Sequence, residues 1–227
     1  MDQTGQSSNR GAFIVVEGLD RSGKSSQAAR LLERLQTANI PAKLMKFPDR
    51  TTAIGKTIDS YLRSESDLDD RAIHLLFSAN RWELATSISS ALHSGTTLLC
   101  DRYAFSGIAF SAAKGLPYDW CRAPDISLPA PDLTLFLDVA PEVARERGGY
   151  GEERYEKEEM QRQVRVMFQR LGEETSGSGG GRQRWVTIDA GQSIQAVEED
   201  IWRAVEPLVH GVDNPLERLW ETTAAPS

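Results

Sequence analysis

The chain has 227 residues, 40% of them hydrophobic and 26% charged, which suits one globular domain with a sizeable core. Its net charge of −7 argues against a nucleic-acid or acidic-membrane partner, so any anionic ligand must be held by a local cluster of Arg and Lys. Cys100 and Cys121 have no metal-ligand spacing around them and are expected as reduced thiols in the cytoplasm, with nuclear entry left open because no basic cluster is evident.

Residues 1–11 (MDQTGQSSNRG) are polar, lack the apolar stretch of a signal peptide and offer nothing to bury, so disorder is expected there. A short buried strand over 12–17 follows, then a helix over 24–37 in which Ala28, Leu31, Leu32 and Leu35 recur three or four apart. A second strand is expected over 42–46, a short helix over 54–62, and a long helix opened by Asp69-Asp70 and closed by Gly95. The third strand covers 97–100 and runs into Asp101. The fourth is 133–139, with Pro129 and Pro131 stopping any helix before it, and the fifth is 185–189. Near-continuous apolar strands alternating with helices predict an α/β fold, a five-stranded parallel sheet with helices on both faces. SGSGGG at 176–181 reads as a flexible surface loop, 222–227 as a frayed tail, and 12–221 as one domain. No run approaches the ~18 apolar residues a membrane helix needs.

Gly18-Leu19-Asp20-Arg21-Ser22-Gly23-Lys24-Ser25 matches G-x-x-x-x-G-K-[ST], and the strand before it and helix after it leave little room for a chance match. In such a loop glycine lets the backbone approach phosphate oxygens, and amides at the helix N-terminus face the anion. Lys24 is expected to reach the β- and γ-phosphates of ATP and Ser25 to ligate Mg²⁺. Asp101, at the end of the third strand, stands where a carboxylate would hold Mg²⁺ directly or through water; its other reading is a helix cap.

A phosphate loop alone does not separate a kinase from a nucleotide-driven switch. The Asn-Lys-x-Asp string that reads guanine is absent, and DAGQ at 189–192 resembles a switch sequence only superficially. An acceptor kinase needs a second basic site. Candidates are Phe47-Pro48-Asp49-Arg50 and Asp101-Arg102-Tyr103, each after a strand, where open α/β sheets bind ligands. Phe77 and Arg81 share a helix face and could stack on and hydrogen-bond a base; a core aromatic and a solvated charge are their other readings.

Several longer segments carry a resemblance: EGLDRSGKSSQ (17–27), KFPDR (46–50), HLLFSANRWE (74–83), DRYAFSGIAFSAAKG (101–115), DWCRAPDISLPAPDLTLFLDV (119–139), ERYE (153–156) and the NPLERLW ending. From about residue 12 to about 221 the chain resembles the thymidylate kinase family of eukaryotic type. Phosphate loops are widespread, whereas the DRYAFSG and DWC...LP.PD segments are specific to that family.

The resemblance implies a P-loop NTPase fold of the nucleoside monophosphate kinase kind with a lid. It implies transfer of the γ-phosphoryl of Mg-ATP to dTMP, giving dTDP and ADP in dTTP biosynthesis. Gly18, Ser22, Gly23, Lys24, Ser25 and Ser26 would hold ATP. Asp20 would accept from the sugar 3′-hydroxyl, Arg50 and Arg102 would grip the acceptor phosphate, and Arg21 would contact the transferred phosphoryl group. Phe77 would stack on thymine while Arg81 bonds its O4, with Phe47, Ser106 and Phe110 completing the dTMP pocket. The lid would span about 147–156, with Arg147 and Gly191 beside adenine and Tyr155 near the acceptor. An exposed, salt-bridged loop is the other reading of Glu152 and Glu153.

An acceptor phosphate carries about two negative charges near neutral pH, so no general base is required. Asp20, Arg21, Lys24, Asp101 and Arg102 would act by positioning and charge neutralisation. A homodimer through helices around 54–92 and 103–114 is also implied. SGSGGG and the first eleven residues fall outside the resemblance. A kinase for a nucleoside or another monophosphate is the near alternative. A regulatory protein without phosphoryl transfer is the distant one, and the acceptor set Arg50, Phe77, Arg81 and Arg102 speaks against it.

Overall fold

The computed structural model describes residues 9–147, 154–155, 157–177 and 184–221. Five parallel strands form one sheet in the order β2-β3-β1-β4-β5: β1 (Phe13–Gly18), β2 (Ala42–Lys46), β3 (Thr97–Asp101), β4 (Leu133–Asp138) and β5 (Arg184–Asp189). The connecting helices are α1 (Lys24–Thr37), α2 (Ala53–Leu62), α3 (Asp70–His93), α4 (Ala104–Ala113), α5 (Tyr118–Arg122), α6 (Pro141–Arg145), α7 (Glu158–Gly177) and α8 (Ile194–Val205).

Side chains alternate between the two faces of a strand, so an unbroken apolar run is stable only when both faces are covered. Phe13 and Val15 join Leu98, Cys100 and Phe136 in a core shared with α3, α4 and α7. Ile14 and Val16 join Leu99, Leu135 and Leu137 in a second core with α1 and α8. Each such side chain, fully buried, stabilises the fold by roughly 1.5–3 kcal/mol. β1 is central, with β3 on one side and β4 on the other, so the loop leaving its carboxyl end opens where the chain changes direction across the sheet. No helix among the described residues is long and apolar enough to cross a membrane.

Several boundaries differ from expectation. β1 runs to Gly18, one residue past the predicted limit, because Gly18 still pairs with Leu137, and β4 ends one residue early at Asp138, its last partner being Asp189 on β5. α2 starts at Ala53, where Thr52 Oγ1 accepts from the Gly55 amide at 3.0 Å. Of the segment expected to be disordered, Arg10 and Gly11 are buried; Arg10 forms a bidentate pair with Asp132 at 2.6 and 2.8 Å. Residues 1–8 and 222–227 lie outside the described residues. The flexible-loop reading of 176–181 is corrected at its start, since Ser176 and Gly177 end α7, while 178–181 lie outside the described residues. Helix α7 had a legible signal that the sequence reading does not use: Val164, Phe168 and Leu171 recur four and three apart and are all buried.

His74 on α3 is buried, with Nε2 2.9 Å from the Cys121 carbonyl and Nδ1 2.8 Å from Ser111 Oγ. A carbonyl can only accept, so Nε2 carries the proton and Nδ1 accepts from the hydroxyl. Burial, then the nearby Arg81 charge, lower its pKa from the usual 6.5. The unfolded chain therefore takes up a proton near pH 6.5 that the folded ring resists. Its contribution to stability is present above that pH and lost as pH falls below it. Urea midpoints are expected to drop between pH 7.5 and 5.5, and less so in His74→Gln; equal slopes would remove His74 from the account.

Candidate active site

The loop between β1 and α1 is shaped for an anion. Gly18 has φ 152°, and a Cβ there would meet the Leu137 carbonyl oxygen at 2.7 Å. Arg21 and Gly23 also take positive φ, 62° and 94°. No side chain caps α1 through its N-cap Gly23, which leaves the first amides to a bound phosphate. Lys24 Nζ is buried and donates to the Leu19 carbonyl at 2.5 Å. Burial first, and the Arg102 charge second, push its pKa down to about 7.

Asp101, at the end of β3, accepts from Ser25 Oγ at 2.5 Å through Oδ2, while its buried Oδ1 has no hydrogen-bond partner. Lys46 Nζ lies 3.7 Å from Oδ2. A hydroxyl beside a carboxylate with one orphaned oxygen fits a magnesium ion that keeps several waters and phosphate oxygens as its other ligands. No group of three or more His, Cys, Asp or Glu among the described residues could hold a metal by itself. The helix-cap reading of Asp101 is answered elsewhere: α4 is capped by Glu17, whose buried carboxylate accepts from the Tyr103 and Ser106 amides at 2.9 and 3.0 Å and from Ser106 Oγ at 2.5 Å. Desolvation raises the Glu17 pKa against the effect of these bonds.

A cavity of about 300 Å³ opens beside this loop. All nine residues expected around the acceptor line it: Asp20, Phe47, Arg50, Phe77, Arg81, Arg102, Ser106, Phe110 and Tyr155. Arg21, Lys24, Ser25 and Asp101 line it from the phosphate-loop side. Arg102 has φ 69° and donates through Nη1 to the Gly18 carbonyl and Ser106 Oγ, both at 3.1 Å, and through Nη2 to Asp20. Its guanidinium sits 5.3 Å from the centre of the Phe110 ring. Arg50 donates to Asp59 at 2.6 Å.

Arg81 is not a solvated charge. Its side chain is 3% exposed and is gripped by Asp125, Nε to Oδ1 at 3.1 Å and Nη2 to Oδ2 at 2.6 Å, with Ser78 Oγ adding a bond to Oδ1 at 2.7 Å. Gly107 on α4 faces it so closely that a Cβ would lie 2.8 Å from Nη2. Phe77 is half-buried, packs against the cluster of Ile58, Tyr61, Leu62 and Ile73, and still lines the cavity.

Gly18, Ser22, Gly23, Ser26, Arg147 and Gly191 do not line this cavity. Arg147 donates to the Arg21 carbonyl at 3.2 Å and the Ala190 carbonyl at 2.5 Å, so it bridges the phosphate loop and the turn holding Gly191. Of the expected lid, only Arg147, Arg154 and Tyr155 are among the described residues; Glu152 and Glu153 are outside them. Tyr155 is held by Lys114, whose Nζ donates to Tyr155 Oη and Tyr61 Oη at 2.9 Å and to Asp70 at 2.6 Å. Glu17, Asp125 and Gln161 are the polar residues that sequence reasoning missed. Each works through a partner far along the chain, so no local spacing marks it.

The family model described as thymidylate kinase matches residues 16–201. The thymidylate kinase of Schizosaccharomyces pombe is 55% identical over 85% of this chain and 90% of its own length. That of Homo sapiens is 46% identical over 93% of this chain and 98% of its own. The solved structure of thymidylate kinase from Candida albicans superposes with a TM-score of 0.83 at 40% identity, covering 93% of this chain and 99% of that one.

Proposed function

The chain belongs to the thymidylate kinase family and phosphorylates dTMP to dTDP with ATP, and from that premise we propose how its residues divide the work. The observation that carries the proposal is the cavity in which Lys24 and Ser25 meet Arg50, Phe77, Arg81 and Arg102. A donor-phosphate cradle and an acceptor-phosphate clamp share one space.

Gly18, Ser22, Gly23, Ser25 and Ser26 hold ATP's phosphates through the loop and the α1 N-terminus, where amides and helix dipole favour negative charge. Lys24 completes the cradle. The burial that lowers its pKa in the absence of an anion also strengthens its attraction to a phosphate once one is bound. Arg147 and the Gly191 turn receive the adenine side. Ser25 and Asp101 would hold Mg²⁺, and the ion would supply charge neutralisation to the phosphates.

On the acceptor side Arg102 and Arg50 grip the dTMP phosphate, whose geometry suits forked guanidinium donors. Asp20 accepts from the 3′-hydroxyl. Arg81, locked by Asp125, presents its remaining nitrogen to the base, Phe77 stacks on thymine, and Phe47, Ser106, Phe110 and Tyr155 shape the pocket. Because the attacking oxygen is already ionised, catalysis is positioning plus stabilisation of charge on the transferring group. Arg21 supplies the latter.

A coupled ADP-release assay with Mg-ATP and dTMP, dUMP, CMP, AMP, GMP and thymidine tests this reading. Strong turnover of dTMP with weaker dUMP is expected; comparable rates with thymidine or CMP would reject it. Phe77→Ala is expected to weaken dTMP binding by ~1–3 kcal/mol through the lost stack. Unchanged affinity in calorimetry would return Phe77 to a packing role.

The proposal includes a homodimer through the outer face of α3, where Leu75 and Trp82 are 47% and 40% exposed. Sedimentation at micromolar concentration should show twice the 25.1 kDa chain mass. A purely monomeric boundary would reject it.

A further inference from the structure

We propose that Gln161 is a positioning residue that aims the Asp20 carboxylate at the acceptor sugar and thereby sets the preference for a nucleotide bearing a 3′-hydroxyl; this rests on the role given to Asp20 above. Gln161 stands in the first turn of α7 and is 1% exposed. Its Oε1 accepts from the Asp20 amide at 3.0 Å. Its Nε2 donates to Asp20 Oδ2 at 2.8 Å and to the Tyr155 carbonyl at 2.9 Å.

The partners dictate which way the amide points. The Asp20 N–H can only donate, and a carboxylate oxygen and a carbonyl only accept, so a flipped amide would set donor against donor and acceptor against acceptor. One buried side chain thus grips both the backbone and the carboxylate of a single phosphate-loop residue. It ties them to Tyr155, another wall of the acceptor cavity. Arg102 Nη2 holds the opposite oxygen, Oδ1. Asp20 is therefore clamped from two sides, one oxygen each, and every carboxylate oxygen retains a lone pair for a further donor.

Gln161 does not line the cavity; it acts on the pocket through Asp20 and Tyr155, and of these two Asp20 is the one assigned to the sugar hydroxyl. Without the amide, the carboxylate loses its grip on the Oδ2 side and its backbone anchor together. The hydrogen bond most sensitive to that orientation is the one to the sugar hydroxyl. A nucleotide lacking the hydroxyl has nothing there to lose.

The test is steady-state kinetics of the full-length enzyme with dTMP and with its 3′-deoxy analogue. Gln161→Met keeps the side-chain length and removes all three bonds. The ratio of the two kcat/KM values is expected to fall about tenfold or more, the scale of one charged hydrogen bond. Asp20→Ala should cause the same loss of preference, and the double variant no further loss. If Gln161→Met does not fold, Gln161→Glu serves, since it keeps the acceptor for the Asp20 amide but sets a carboxylate against Oδ2. Equal falls for both substrates, or no fall for either, would leave the ratio intact and overturn the proposal. Absence of dTMP turnover in the wild-type enzyme would instead overturn the activity reading, and this proposal with it.

Discussion

Arg21→Ala is expected to lower kcat for dTMP phosphorylation on the order of 10³-fold while KM for dTMP stays within a few-fold of wild type. Arg21 sits at the bend of the phosphate loop with φ 62°, and its side chain enters the cavity shared by Lys24 and Arg102. In the role proposed for it, a cation there faces the group in transit. In the transition state charge spreads over the oxygens of the transferring phosphoryl, so the contact strengthens as the reaction proceeds. Removing it therefore costs rate rather than ground-state binding. Arg21→Lys retains the charge at the same backbone angle but not the fork, and should fall between the two. Steady-state kinetics at saturating ATP decides the matter. A variant with wild-type kcat and raised KM would move Arg21 from catalysis to substrate binding.

The second large effect is on stability. Asp125→Ala leaves the Arg81 guanidinium, 3% exposed, without its bidentate partner, while Ser78 Oγ keeps the Pro124 carbonyl as acceptor at 3.1 Å. Breaking a buried pair from one side typically costs 3–5 kcal/mol, because a charge remains in a site that water does not reach. For a chain of this length that corresponds to a fall in Tm on the order of 10 °C. dTMP affinity should fall as well, since nothing then aims Arg81 at the base. Replacing both partners by apolar residues, Arg81→Met with Asp125→Leu, removes the unpaired charge. Stability should largely return while dTMP affinity does not. A single Asp125→Ala variant that melts within a degree or two of wild type would show that Arg81 finds another partner.

Both effects illustrate what could be read from residues in order. Arg21 belongs to an eight-residue string whose neighbours specify its place: a buried strand before, a helix after, glycines at the turns. Arg81 was visible as a residue on the Phe77 face of a helix, but its state was not. A lone arginine on a helix is ordinarily a surface charge, and only the fold brings Asp125, 44 positions away, under it. Phe77 is ambiguous by nature, since an aromatic that closes a small core can also present one face to a cavity. Helix α7 is legible in principle from the four- and three-residue spacing of Val164, Phe168 and Leu171. The burial of Arg10 could not be anticipated from polar surroundings, because its partner Asp132 lies in a distant segment.

By itself the sequence determined the class of this protein. The phosphate loop, the apolar strands and the acceptor segments are local patterns, and local patterns follow from backbone geometry and side-chain spacing over a few residues. The tertiary structure alone decided how the site is held. Glu17 caps a helix 86 to 89 positions on, and Gln161 grips Asp20 from 141 positions away. These are polar contacts made inside the protein, where an unpaired group is costly, and each depends on packing that brings two distant stretches together. Spacing along the chain carries no record of such a pairing.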